Sequence, residues 1–346
     1  MNQDPQRILI TGYKGFVSPY LVEQCARRFP SAQRFGLAHA ASQRPVADQP
    51  RLSAPVALPS VTEIEGDITD GERMRQVIQE TRPDLIFHLA AASSGAASWK
   101  DPAAALMVNA TGLVRLIEAI RAERLTPRIL VIGSGEQYGF VSPGENPITE
   151  ETPFHPANPY AVSKVAQDQL AFMFHKAYGL DIVRARPFNH FGPGQSAEFV
   201  IASFARQIAL MEAGRIAPTI FVGDLSSRRD FLPVESVARA YVALAERGLA
   251  GEAYNIGSGV ARSINSILQT LLEMAEITIQ TQVDPERIRP VDAPELCADT
   301  RKAQRDTGWR PDEDISPALR ATLDYWRASV RADASVAERQ PLTPER

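Results

Sequence analysis

Through the first half of the chain, short aliphatic runs alternate with longer segments whose apolar residues recur at helical spacing. Residues 7–11 (RILIT), 34–38, 61–64, 85–89, 129–132 and 182–185 read as strands. Helical patterns occupy residues 19–28, a stretch ending at Glu80, 103–122 and 160–178. Strands alternating with helices over this length predict an α/β fold with a parallel sheet covered on both faces. After Pro187 the order loosens, with loop signals at 192–195, 223–224 and 289–294 between shorter elements. A smaller, interleaved α/β lobe is expected there. The division expected is 1–186 for the main domain, 187–334 for a lobe with returns to it, and 335–346 for a flexible tail.

Composition narrows the class. The 346 residues, 44% hydrophobic and 23% charged, suit a globular protein of enzyme size. A net charge of −4 offers no footprint for nucleic acid or for an anionic membrane. Cys25 and Cys297 match neither a disulfide framework nor a metal spacing, so no metal site is expected. No uninterrupted apolar run approaches a membrane span and the polar start is no signal peptide, so a cytoplasmic protein is expected.

The chemistry concentrates in NPYAVSK at 158–164. Tyr160 and Lys164 are four apart, one turn along a single helix face. An ammonium beside a phenol is expected to lower the phenol's pKa and ready Tyr160 for proton exchange with a hydroxyl or carbonyl. Ser134, in the loop after strand 129–132, can hydrogen-bond the same oxygen. Earlier, TGYKGFVS at 11–18 follows the first strand. Gly12 and Gly15 let a backbone approach a pyrophosphate at a helix N-terminus, or simply make a turn. Ser18 and Pro19 stand where a third glycine and its successor are usual. The second strand lacks the carboxylate that would bind a ribose 2′-hydroxyl, and Arg34 and Arg44 lie nearby. That tilts the expected cofactor toward NADP(H), with NAD(H) the alternative. Asp67, before Ile68, serves either an adenine amine or the cap of the following helix. His88, in HLAAA at 88–92, reads as structural, and the small residues after it let backbone pass close to a flat cofactor.

With TGYKGF, Asp67, HLAA at 88–91, Asn109, Gly112, Ser134, Tyr138-Gly139 and Tyr160-x-x-x-Lys164 together, the chain resembles the extended short-chain dehydrogenases/reductases of the nucleotide-sugar epimerase/dehydratase group. The resemblance spans about 7–325 and implies a Rossmann-type doubly wound parallel sheet with a smaller interleaved substrate lobe. The stretches at 186–195, 228–231, 289–294 and 306–311 are most similar to the branch acting on GDP-bound deoxy sugars. The resemblance implies that Ser134, Tyr160, Lys164 and Glu136 are catalytic. It implies a dinucleotide held by Gly12, Tyr13, Gly15, Phe16, Val17, Asp67, Ile68, Leu89, Ala90, Ala91, Tyr160 and Lys164. Asn189, Arg229, Arg289 and Asp292, with Ser134 and Glu136, would hold a GDP-sugar, and helices 103–122 and 160–178 would build a four-helix homodimer interface. Reduction of a GDP-4-keto-6-deoxy sugar is the expected reaction. Elimination by a dehydratase needs a further acid-base pair, and Gly135 stands where such enzymes commonly carry Asp or Ser. A dehydratase or epimerase is the alternative, and a dinucleotide-binding protein without catalysis is a third reading.

Overall fold

A computed structural model describes residues 3–39, 60–285 and 295–339. Its main sheet contains β1 (Arg7–Thr11), β2 (Gln33–Ala38), β3 (Thr62–Glu65), β4 (Leu85–His88), β5 (Arg128–Ile132), β6 (Ile182–Pro187) and a late strand, β10 (Ala253–Ile256). The order β10-β6-β5-β4-β1-β2-β3 is parallel throughout. The early strands lie where the sequence places them. Only contact with β6 identifies 253–256 as the seventh strand.

Side chains alternate across this sheet because strand residues have period two. Ile8, Ile10, Leu85, Phe87 and Leu130 pack toward α1 (Ser18–Arg28) and α8 (Val234–Arg247). Leu9, Ile86, Ile129 and Val131 pack toward α2 (Gly71–Thr81), α5 (Gly112–Ala122) and α6 (Pro159–Tyr178). Two short helices, α3 (Gly95–Ser98) and α4 (Pro102–Leu106), precede α5. The helix expected over 103–122 is not continuous. A π-turn, Met107–Thr111, joins α4 to α5, and the wider turn carries the buried Asn109 amide onto Ala92 and the Ser163 hydroxyl. The span Pro102–Ala122 is long and apolar enough to cross a membrane, but half of it is buried inside this fold.

The lobe has its own core. β9 (Arg228–Pro233) pairs with β7 (Asn189–Phe191), β11 (Ala261–Ser263) and β13 (Glu295–Leu296), while β8 (Thr219–Val222) pairs with β12 (Gln280–Val283). Phe204 and Ile208 of α7 (Val200–Glu212), Leu268 and Leu271 of α9 (Ile264–Glu273), and Leu319 and Leu323 of α11 (Ser316–Arg339) close over them. Helix α10 (Arg301–Thr307) packs back on α8 and β10.

One buried polar cluster ties these parts together. Asp168 of α6 accepts from Arg184 at 2.6 Å and from Arg186 at 3.0 Å, both on β6. Arg186 also donates to the Tyr138 hydroxyl at 2.9 Å, and Tyr138 donates to Asn255 of β10 at 2.7 Å. Burial opposes ionisation of Asp168, but the two guanidinium groups outweigh it and lower its pKa. The carboxylate therefore contributes stability that is complete above the ordinary Asp range, about pH 4, and is lost as pH falls through the lowered folded value. Asp168→Ala leaves two buried cations without their partner. Denaturant unfolding at neutral pH should show a loss of about 3–5 kcal/mol.

Candidate active site

The glycine turn is built for close backbone approach. Gly12 has a positive φ of 69°, and a Cβ there would lie 2.7 Å from the Ala90 nitrogen and 2.9 Å from the Leu89 carbonyl carbon. Only glycine fits that contact without displacing backbone. Thr11 ends β1, and its hydroxyl accepts from the Ala90 N–H at 3.1 Å and bonds His88 Nδ1 at 3.0 Å. His88 is buried, and burial first, then the charge of Lys164, holds it down at about 3. It is a neutral structural imidazole, as the sequence suggests. The following helix, α1, has no capping side chain at Val17 and no acid in its first turn. Its uncompensated N-terminal dipole suits an anionic pyrophosphate, so this end of the sheet fits the dinucleotide that the resemblance implies. Ser18 and Pro19 are accommodated within the first turn of α1, Ser18 fully buried.

Around this turn the expected residues divide. The Tyr13 ring lies directly on Gly36 of β2, where a Cβ would collide with it. The Phe16 ring turns toward the lobe and stacks on His190 at 6.0 Å. Ile68 is buried against Gly112. Asp67 does not cap α2; that cap is Asp70, which accepts from Arg73 N. Asp67 instead accepts from Thr69, whose backbone N–H is the largest cause of its lowered pKa, and its other oxygen lies 3.7 Å from His39. Arg34, open on sequence to a 2′-phosphate or to solvent, serves neither. It is 7% exposed and donates to the Phe29 carbonyl at 2.7 Å, because its side chain falls on the core face of β2. Arg44 lies outside the described residues.

Tyr160, Ser134 and Lys164 converge where β5 ends. Asn158 caps α6 by accepting from Ala161 N at 2.8 Å, Pro159 occupies the first turn, and Gly179 ends the helix at a positive φ of 66°. Gln137 bolts the Ser134 loop to this helix, accepting from Ser134 N at 2.8 Å and donating to the Lys164 carbonyl at 3.1 Å. Ser134 lies near enough to the Tyr160 phenol for hydrogen bonding to act to lower its pKa. Lys164 Nζ donates to the Ile132 carbonyl at 2.7 Å and to Gln167 at 2.9 Å.

The phenol is not lowered as the sequence leads one to expect. Burial, followed by the nearby Glu136 carboxylate, raises the pKa of Tyr160, and the Ser134 hydrogen bond only partly opposes this. Burial pushes Lys164 down to about 7. Desolvation drives both groups toward their neutral forms. Glu136 is fixed by a 2.9 Å bond from Asn158 Nδ2. Beside it, Phe188 lies over Gly135, where a Cβ would come within 2.8 Å of the ring.

From the lobe, Asn189 pairs in register with Phe231, two residues along β9 from Arg229, which itself pairs with Arg262 of β11 and Leu296 of β13. Arg229 is buried and donates to the Arg228 carbonyl at 2.7 Å. Arg289 and Asp292 lie outside the described residues. Asp230 is a structural carboxylate, accepting from Ser258, Gly259 and Ala298. Gln137, Asn158 and Phe188 escape a reading of the sequence. Of these only Asn158 had a signal, as a capping residue directly before a proline at a helix start.

Residues 9–322 match the family described as GDP-mannose 4,6 dehydratase. The chain is 39% identical over 251 residues to a GDP-6-deoxy-D-mannose reductase of Pseudomonas aeruginosa, covering 72% of this chain and 83% of that protein. It is 27% identical to a GDP-mannose 4,6-dehydratase of Sinorhizobium fredii, covering 76% of this chain and 81% of that one. The solved structure of RMD from Pseudomonas aeruginosa complexed with NADPH superimposes with a TM-score of 0.78 at 31% identity, over 93% of this chain and 99% of that one. A UDP-glucose 4-epimerase of Thermotoga maritima gives 0.80 at 26% identity, over 93% and 99%. A glycine turn against β4, a Ser-Tyr-Lys group at the end of β5 and matches across nearly the whole chain lead to one conclusion. The protein belongs to the NAD-dependent epimerase/dehydratase family of extended short-chain dehydrogenases/reductases, the NAD(P)-dependent enzymes that modify nucleotide sugars.

Proposed function

We propose that this protein reduces the 4-keto group of a GDP-4-keto-6-deoxy sugar. The observation that carries this reading is the contact between Phe188 and Gly135. Loss of the C6 hydroxyl would require an additional acid beside Ser134, and the Phe188 ring occupies the space such a side chain would need. Reduction requires less. A bound nicotinamide dinucleotide supplies the hydride. Ser134 hydrogen-bonds the carbonyl oxygen, and Tyr160, kept protonated by burial and by Glu136, gives that oxygen its proton. Lys164 donates to Ile132 and Gln167, which fixes its position, and its protonated form carries a third N–H for a ligand. Asn189 and Arg229, with Arg289 and Asp292, are assigned to the nucleoside diphosphate, where guanidinium groups suit phosphate oxygens.

A dehydratase remains the second reading because Glu136 is present at the site and relatives of similar length are dehydratases. Incubation with GDP-4-keto-6-deoxymannose and NADPH should consume the reduced nicotinamide. Tyr160→Phe should slow that reaction by about 10²–10⁴-fold. No change in nicotinamide absorbance with wild-type protein would sink the reductase reading, and product from GDP-mannose without added reductant would establish the dehydratase.

NADP(H) is the proposed cofactor, since β2 ends at Ala38 without a carboxylate to repel a 2′-phosphate. With Arg34 turned inward, Arg44 becomes the residue to test. Steady-state kinetics should show higher kcat/KM with NADPH than with NADH. Arg44→Ala should narrow that ratio, and Arg34→Ala should destabilise the fold while leaving the ratio unchanged.

A homodimer and a cytoplasmic location complete the proposal. Helix α6 is apolar on both sides: Ala161, Ala171 and Phe174 face the sheet while Val162, Phe172 and Met173 are exposed. Leu106 and Met107 present a similar exposed pair between α4 and α5. A second copy would cover both faces. Cys25 and Cys297 are buried free thiols, which suits a reducing compartment. Sedimentation should give a dimer, and Met107→Glu combined with Met173→Glu should give monomers.

A further inference from the structure

The start of α6 carries a hydrogen bond beyond those that helix capping requires. Asn158 spends Oδ1 on the Ala161 N–H and still extends Nδ2 to Glu136 Oε2 at 2.9 Å. Serine or threonine would cap the helix equally well, but with no amide to reach the carboxylate. A Cβ at Gly95 would stand 3.5 Å from both Asn158 Nδ2 and Glu136 Oε2, and glycine leaves that space open. Ser98, donating to the Gly95 carbonyl at 2.7 Å, accepts from Tyr160 N at 3.0 Å, so the same patch anchors the reacting tyrosine. The Glu136 N–H donates to Ser134 Oγ at 3.1 Å, and Ser134 in turn acts to lower the pKa of the Tyr160 phenol. Backbone and side chain of Glu136 are thus both held.

Resting on the reductase reading, we propose that Asn158 is a positioning residue whose amide, from the N-cap of α6, holds the Glu136 carboxylate toward the Tyr160 phenol. A fixed negative charge there keeps the proton on Tyr160 until a carbonyl oxygen takes it. Burial and then Glu136 are the causes that raise this phenol, against the hydrogen bond from Ser134. The other groups around it are Lys164 on the same helix, pinned by Ile132 and Gln167, and the buried Tyr241 of α8. His88 of β4 lies within the field of Lys164 and is neutral. Glu136 is the negative member of this set.

The test is an ultraviolet difference titration of tyrosinate in NADP⁺-loaded protein, with Tyr160→Phe as the reference. Asn158→Ser keeps the cap and releases Glu136, so the thermal midpoint should hold while the Tyr160 titration falls by about one pH unit. Glu136→Gln should produce the same shift, and the double variant no more than either alone. In turnover, the alkaline limb of kcat/KM should move by the same amount with KM little changed. Asn158→Thr replaces the serine variant if that protein fails to fold. An unchanged Tyr160 titration in the capped variant, or a further shift when Asn158→Ser is added to Glu136→Gln, would overturn the proposal. The titration needs no sugar, so a protein that fails to reduce the keto sugar sinks the reductase reading and leaves the role of Asn158 to be decided by the titration.

Discussion

A carboxylate buried in the middle of α6 can stay ionised only because two arginines meet it. Asp168 lies one turn beyond Lys164 on the helix that carries Tyr160, so its pairing with Arg184 and Arg186 sets the rotation of that helix against β6. The same Arg186 reaches the Tyr138 hydroxyl in the loop after Ser134, and Tyr138 reaches Asn255 on β10. Asn255 in turn donates its side-chain amide to the Ile148 carbonyl and its backbone N–H to the Glu150 carboxylate. Sheet, reacting helix, serine loop and the strand returning from the lobe are joined by one low-dielectric network. Such a network holds position through mutual satisfaction, since each group left alone would bear an uncompensated burial cost.

The site inherits its electrostatics from the same burial. At Tyr160 and Lys164 desolvation is the leading cause of each shift, favouring a protonated phenol and a lysine brought down to about 7. For a carbonyl reduction that is a useful resting state, because the acid must arrive with its proton. Glu136 reinforces it and Ser134 moderates it. Glycines complete the arrangement at two points where a side chain would intrude. Gly12 lets the first turn touch the exit of β4, and Gly135 lets Phe188 close over the serine loop.

Much of this was legible in the sequence because it rests on local rules. Strand runs, the glycine turn and the four-residue spacing of Tyr160 and Lys164 depend on period, backbone freedom and helix geometry. The resemblance built on those residues agrees with the relatives found. Other features were not legible because their cause is a distant contact. Arg34 has the composition of a phosphate ligand, yet the face of β2 on which it falls turns it into the core. Asp168, Arg184 and Arg186 look like ordinary charges until α6 is laid on β6. The interruption of the 103–122 helix follows from Asn109 meeting Ala92 and Ser163, contacts remote along the chain.

By itself, then, the sequence determined the α/β class, the order of the early elements and the family to which the chain belongs. The tertiary structure decided the protonation tendencies of Tyr160 and Lys164, the inward turn of Arg34, and the second hydrogen bond of Asn158, to Glu136. The division has one physical reason. Spacing and backbone preference act within a few residues, whereas desolvation and charge pairing depend on what other parts of the chain bring to within a few ångströms.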